Sequence, residues 1–394
     1  MVSASINMIG FLLGVISFYV AQLEEISIKN RFIFAAIILA FSIGEYQCYI
    51  TLFFTLAIVY ILRAVLIKDI KLAALFKMAS FFVSIAVVAL ILYLIILEVS
   101  LKITHLSLTD YAGTSSFGIV GFWEYIERLK ISYIEFFYTN LGASYTFFPF
   151  GRHIWQYFVG FIIIILTLIL GIYYVSSACY EKCIEIIAIY LIMPLVFNFN
   201  IFIYGHEAYH TLHNYNMVLL FLLPCILVEV IIQNDLVGTY QRGLRYFLVF
   251  FLLVFGLRYI RYASSCYTQI QLRMDRSLAY LNRMISRIEM SDGFYYDKDV
   301  VFAGRFHWED IDKNLLKYDD VPVSGPYQPG EIMNSYSRQY LLTNYLGFFN
   351  NMEFIDEVDD GNLSKLLESM AIYPDVGSIL SDDSKIIVKL DMIN

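Results

Sequence analysis

The string His206-Glu207-Ala208-Tyr209-His210 sets two imidazoles one helical turn apart with a carboxylate between them. That spacing suits a zinc ion held by both His side chains with Glu207 as general base, the chemistry of a membrane zinc metallopeptidase. His213 adds a third imidazole on the same face. The setting weighs against a metal: the string fills a short interval between apolar runs, Tyr204-Gly205 interrupts a helix just before it, and no further ligand follows at a metallopeptidase spacing. Without a metal, His206 and His210, beside Asn214 and Asn216, are placed to donate hydrogen bonds to a phosphate or a sugar. Arg152 and His153 stand at the mouth of another apolar run, where the pair either binds a lipid phosphate or anchors a helix end at an interface. The five cysteines, at 48, 179, 183, 225 and 266, draw neither a disulfide framework nor a paired CxxC site.

The elements that must position these groups follow from composition. Hydrophobic residues make up 59% of the 394 and charged residues 16%, against about 45–50% and 25% in soluble globular chains. A water-soluble globule is excluded. Residues 264–394 carry 12 Lys and Arg against 21 Asp and Glu, whereas 1–263 carry 15 against 14. The expectation is therefore a nearly neutral transmembrane domain over 1–263 and an acidic soluble domain over 264–394. Neither has a basic face, so no nucleic-acid partner is expected.

A hydrocarbon layer of about 30 Å needs roughly 20 apolar residues of helix. Runs of that order lie at 4–21, 48–66, 78–97, 154–174, 184–204, 216–232 and 244–263, and a shorter eighth at 32–43 adjoins the second through Gly44-Glu45-Tyr46-Gln47. The simplest arrangement is a helical hairpin with GEYQ at its tip. A continuous tilted helix would leave the Glu45 carboxylate in the bilayer, at high cost if unpaired.

Short cytoplasmic loops collect Lys and Arg. Segments 22–31 (Lys29, Arg31), 63–77 (Arg63, Lys68, Lys71, Lys77) and 233–245 (Arg242, Arg245) are accordingly placed inside, and 98–153 and 205–215 outside. Alternation puts the GEYQ tip, the N-terminus and the tail outside. Arg258 and Arg261 run against the rule and are expected to snorkel.

Within the outer loop 98–153, Phe122, Tyr125, Ile126, Leu129, Tyr133 and Phe136 recur at helical spacing, which predicts an amphipathic helix on the outer leaflet. In the tail, Met274, Leu278, Leu281, Ile285 and Ile288 make an apolar stripe flanked by arginines, a helix expected to pair with another helix or rest on anionic lipid. DVVFAG (299–304) and KIIVKL (385–390) read as strands, and 335–346 and 362–370 as helices, giving a small α/β domain.

Several separated pieces, in order, resemble the bacterial serotype-converting glucosyltransferases of Gtr type II. They are SIGEYQCYITLFF (42–54), LTDYAG (108–113), VVFAGRF (300–306), YLLTNYLG (340–347) and MAIYPDVGSILSDDSKIIVKL (370–390). The resemblance implies a polytopic α-helical membrane enzyme of the GT-C class in the bacterial inner membrane, with its C-terminal domain in the periplasm. It implies transfer of glucose from an undecaprenyl-phosphate donor to O-antigen or a related surface glycan, with no cofactor beyond a divalent metal at most. The alternatives from other classes are the zinc peptidase and a non-catalytic lipid-carrier translocase.

In this class an acidic residue in the first outer loop activates the acceptor hydroxyl. No such loop precedes residue 1 here, and 4–21 is similar to a later span of the family, which implies a chain lacking its N-terminal part, a degenerate copy, or another outward acid in that role. Glu45 and Asp110 are the outward acids available, read otherwise as a polar hairpin-tip residue and a turn former. Tyr46, Gln47, Tyr111, Arg152, His153, His206 and His210 complete the expected substrate or lipid-phosphate contacts.

Overall fold

Small residues at 10, 14, 17 and 21 line one face of the first helix, and that face is the one buried. Spacings of four, three and four keep Gly10, Gly14, Ser17 and Ala21 in register, so two backbones can approach closely, the usual solution where lipid removes the hydrophobic drive for association. In the computed structural model, which describes residues 2–67, 70–106, 121–136, 165, 167–169, 172, 180–204, 211–233, 239–304, 339–355 and 361–391, this helix is α1 (Val2–Gln22). It packs on α2 (Ile28–Glu45), whose first turn is capped by Ser27 accepting from the Asn30 amide. Ser17 Oγ donates to Ala35 O at 2.8 Å and Ser42 Oγ to Gly10 O at 2.7 Å, two hydrogen bonds that join the pair.

The chain divides into two compact units, Met1–Tyr259 and Ile260–Asn394. The first continues with α3 (Tyr49–Ile67), α4 (Leu72–Thr104) and α5 (Phe122–Ile134). Then come α6 (Tyr180–Phe197), a short α7 (Phe199–Tyr204), a 3₁₀ segment (Thr211–Phe221), α8 (Leu222–Gln233) and the start of α9 (Thr239–Glu289). Among the described residues two helices, Tyr49–Ile67 and Leu72–Thr104, have the length and apolarity to cross a membrane, and Met8–Gln22 and Asn216–Val230 are shorter apolar stretches. The apolar run 184–204 is not one helix. It breaks at Asn198, four residues after Pro194, whose carbonyl accepts from the Asn198 amide. The run 216–232 begins as 3₁₀ helix and turns α-helical only at Leu222. The run 154–174 lies almost wholly outside the described residues.

The hairpin replaces the tilted helix: α2 ends at Glu45, α3 starts at Tyr49, and Glu45 is exposed. Two apolar clusters hold the unit, one around Phe53, Phe82 and Ile85 between α1–α4, the other around Phe197, Met193 and Leu62 between α3, α6 and α8. Its outer surface is apolar too, with Leu12, Phe76, Val83 and Ile91 exposed.

The second unit contains a four-stranded sheet in the order β2-β1-β4-β3. Its strands are β1 (Asp299–Ala303), β2 (Met352–Ile355), β3 (Ile379–Ser381) and β4 (Lys385–Lys389). β1 is parallel to both neighbours, pairing Val301 with Glu353 and Ile387, and β3 is antiparallel to β4. Alternate side chains serve opposite faces. Val300, Phe302, Ile386 and Val388 pack on Leu281, Met284, Ile285 and Ile288 of α9, while Val301, Ala303 and Ile387 pack on Leu367 of α10 (Gly361–Ser369) and on Met370 just beyond it. The stripe expected to meet another helix or a lipid surface is therefore buried on a sheet. Lys389 is buried and ends α10, its Nζ donating to Leu367 O and Met370 O at 2.6 and 3.0 Å.

Candidate functional site

The hairpin tip brings three of the sequence-selected residues together. Tyr46 is extended after the last turn of α2 and its amide donates back to Ser42 O at 3.2 Å, so the helix stops and the chain reverses within three residues. The Tyr49 amide donates to Tyr46 O at 3.0 Å and starts α3. The Tyr46 ring meets Tyr49 edge-on at 5.7 Å, and Tyr49 meets Phe11 of α1 at 6.2 Å. Gln47 Nε2 donates to Tyr93 Oη of α4 at 2.8 Å. Gly10 lets α1 pass beside this corner: a Cβ there would stand 2.6 Å from Tyr49 Cε2 and 2.8 Å from Glu45 Cβ. Four helices thus fix a turn at which Glu45 is exposed.

Beneath the tip runs a buried polar ladder. Thr51 Oγ1, two residues into α3, donates to Asn200 Oδ1 at 2.5 Å. One turn on, Thr55 Oγ1 donates to Thr51 O and accepts from Asn216 Nδ2 at 3.0 Å, while that amide also donates to Phe197 O at 2.8 Å. Asn198 Nδ2 donates to Ser132 O of α5 at 2.7 Å. Arg128 of α5 is buried, donating to Phe202 O at 2.7 Å and to Glu124 Oε1 at 2.6 Å. The helix break at Asn198 is therefore bonded on one side to α3 and on the other to α5, which satisfies the donors that an apolar core would penalise, while the buried Asn216 Oδ1 has no partner among the described residues.

α5 forms where the apolar spacing placed a helix. Arg128 and Ser132 are buried, whereas Phe122, Trp123, Ile126 and Leu129 are exposed. The helix docks by its polar edge and offers its apolar stripe outward, the geometry of a helix lying at a membrane interface.

Asp110, Tyr111, Arg152, His153, His206, Glu207 and His210 lie outside the described residues. Among the described residues no group of three His, Cys, Asp or Glu side chains could hold a metal ion. Sequence reading passed over Thr51, Thr55, Arg128, Asn198 and Asn200, and set Asn216 beside the His residues rather than in this ladder. Their signal was available as polar residues inside otherwise apolar runs, with Asn198 and Asn200 two apart.

An exposed acid at the tip of a helical hairpin, two helices long and apolar enough to cross a membrane and an apolar exterior are the features of a membrane-associated helical protein. Residues 1–227 match the family described as Glucosyl transferase GtrII, and the chain belongs to that family. It is a glycosyltransferase by family, acting between a sugar donor and a glycan acceptor. No curated protein and no solved structure matches it.

Proposed function

We infer that the chain is a multi-pass protein of the bacterial inner membrane that moves glucose from undecaprenyl-phosphate-glucose to O-antigen or a related surface glycan on the periplasmic side. The observation that carries this reading is the exposed Glu45 on a rigid tip, in a chain of glucosyltransferase family. In the proposed step Glu45 takes the proton of the acceptor hydroxyl and the oxygen bonds to the anomeric carbon. The bond from that carbon to the phosphate oxygen breaks, and the lipid phosphate leaves with the electron pair. Tyr46 and Gln47 flank the acid. Asp110 is the second acid proposed for the role of base. Tyr111, Arg152, His153, His206 and His210 are proposed to contact the sugar or neutralise the leaving phosphate. A lipid donor is met at the bilayer surface, which supports a site at a hairpin tip. The second unit is proposed to lie in the periplasm, a reading supported by alternation of the spans expected from the sequence.

Membranes bearing the full chain, supplied with radiolabelled undecaprenyl-phosphate-glucose and an O-antigen acceptor, are expected to yield labelled glycan. Glu45→Gln is expected to lower the rate by about 10²-fold or more. An unchanged rate removes Glu45 as the base, and no transfer by the parent chain overturns the reading.

A further inference from the structure

At the end of the first unit remote from the hairpin tip, α1, α2, α3 and α4 enclose a cleft of about 540 Å³. Residues from both Lys- and Arg-rich segments, 22–31 and 63–77, reach it: Arg31 from the first turn of α2 and Lys77 from α4. The Arg31 guanidinium lies 5.5 Å from the centroid of Phe81, and its Nε is buried with no hydrogen-bond partner among the described residues. A buried guanidinium N–H without an acceptor is costly, and a phosphate oxygen is the acceptor its planar fork fits best. Ser80 and Ser84 add hydroxyls on the α4 wall, and Phe32 and Met78 make the deeper lining apolar. Glu24 also borders the cleft, so the two cations meet one carboxylate and the net charge stays positive. Mixed lining of this kind matches an amphiphile whose charged group sits between the cations while its glycerol and first methylenes cover the rings.

The geometry points to a binding site for the phosphate of an anionic phospholipid in this cleft, on the face opposite the proposed transfer site. The inference rests on the membrane reading above and not on glucosyl transfer. Basic clefts between membrane helices on the cytoplasmic side collect anionic headgroups, at about fivefold in affinity for each cation near the surface. Occupation ties the α1–α2 turn to the start of α4, so the lipid acts as a clamp on the end of the bundle where Arg63 of α3 also pairs with Glu229 of α8.

The test is native mass spectrometry of the purified full-length protein in detergent, titrated separately with phosphatidylglycerol, phosphatidylcholine and inorganic phosphate. Phosphatidylglycerol is expected to remain bound at concentrations about fivefold or more below those needed for phosphatidylcholine. Arg31→Gln and Lys77→Gln should each weaken its retention about fivefold. Arg31→Lys should keep part of it, and Lys102→Gln, at the far end of α4, should leave it unchanged. Equal retention of both lipids, or retention indifferent to Arg31 and Lys77, overturns the proposal. Saturation by inorganic phosphate that blocks the lipid at millimolar concentration assigns the cleft to free phosphate and overturns the lipid site. Glucosyl transfer measured on the same preparations separates the two readings: phosphatidylglycerol retained by a chain without transfer activity upholds this site and removes only the transferase proposal.

Discussion

The two units of this chain both bury apolar clusters and differ in the polar groups they bury beside them. In the helical unit the polar side chains Thr51, Thr55, Asn198, Asn200 and Asn216 lie inside, and large apolar ones such as Leu12, Phe76 and Ile91 lie outside. In the sheet unit the interior is Val300, Phe302, Ile386 and Val388 against Leu281 and Ile288, and the buried cation Lys389 has its ammonium on two carbonyls. Paired polar side chains buried beside an apolar core, under an apolar exterior, suit apolar surroundings, because there burying one more apolar group gains little while a paired polar group inside avoids a large loss. The contrast teaches that the average composition of the chain conceals two differently built units.

The largest expected effect falls in the sheet unit, at Gly304. Its φ of +97° is open to glycine alone, and a Cβ would sit 2.7 Å from the Asp391 amide nitrogen. Gly304→Val combines backbone strain with overpacking, a cost of about 3–5 kcal/mol. Limited proteolysis of the full chain in membranes should then cleave residues 260–394 while sparing the helical unit. Digestion of both together would show that the units do not fold separately.

A pair of matched substitutions tests the solvents directly. Val87 of α4 is 50% exposed and Val376 of the sheet unit 98% exposed. Val87→Asp is expected to cost about 2.5–3.5 kcal/mol, read as loss of membrane-inserted, detergent-extractable protein. Val376→Asp should stay within about 0.5 kcal/mol. Equal effects would break the comparison.

A smaller effect is expected from Thr55→Val, which keeps the side-chain shape and removes the hydroxyl that joins Asn216 to Thr51 O. Interhelical hydrogen bonds of this type contribute about 0.6–1.7 kcal/mol, so the thermal midpoint of the helical unit should fall by a few degrees with the sheet unit unmoved.

The smallest belongs to Asp382. Its carboxylate accepts from the Lys385 and Ser384 amides, each at 2.7 Å, and these hold it below the usual Asp range. The group is exposed, so Asp382→Asn should cost only about 0.5 kcal/mol at neutral pH. A lowered folded pKa means this contribution is complete above the unfolded value of about 3.9 and fades as pH falls through the folded one. The difference between parent and Asp382→Asn should therefore hold from pH 7 to about pH 5 and vanish in stronger acid, as read by thermal melts.

What could be seen in the sequence was whatever rests on local pattern. The GEYQ reversal was legible because charge and amides interrupt an apolar run too long for one helix. β1 and β4 were legible as short runs of Val and Ile bounded by turns. β2 (MEFI) and β3 (ILS) were not, since four and three residues carry no periodicity. The stripe from Met274 to Ile288 was found, but its partner was misassigned, because periodicity names a buried face and not what covers it. α5 was legible as an amphipathic helix, whereas the partner of its polar edge, Phe202 O for Arg128, lies 74 residues along the chain. The tail motifs carried much of the resemblance, yet the family match falls on 1–227. Those tail residues serve the fold: Gly304 passes Asp391, Ser378 O accepts the Lys389 amide, and Leu390 N–H closes on Ala303 O. At the hairpin tip the exposure of Glu45 followed from the polar break in the apolar run, whereas the ladder beneath it depends on pairs such as Thr51 with Asn200, 149 residues apart.

The length of α4 has a last consequence. Gln47 meets this helix at Tyr93, yet the helix runs on to Thr104, eleven further residues that rise about 16 Å beyond the hairpin. With Glu98 and Lys102 paired along it, that extension is a rigid post that carries the chain about three helical turns past the level at which α2 and α3 reverse.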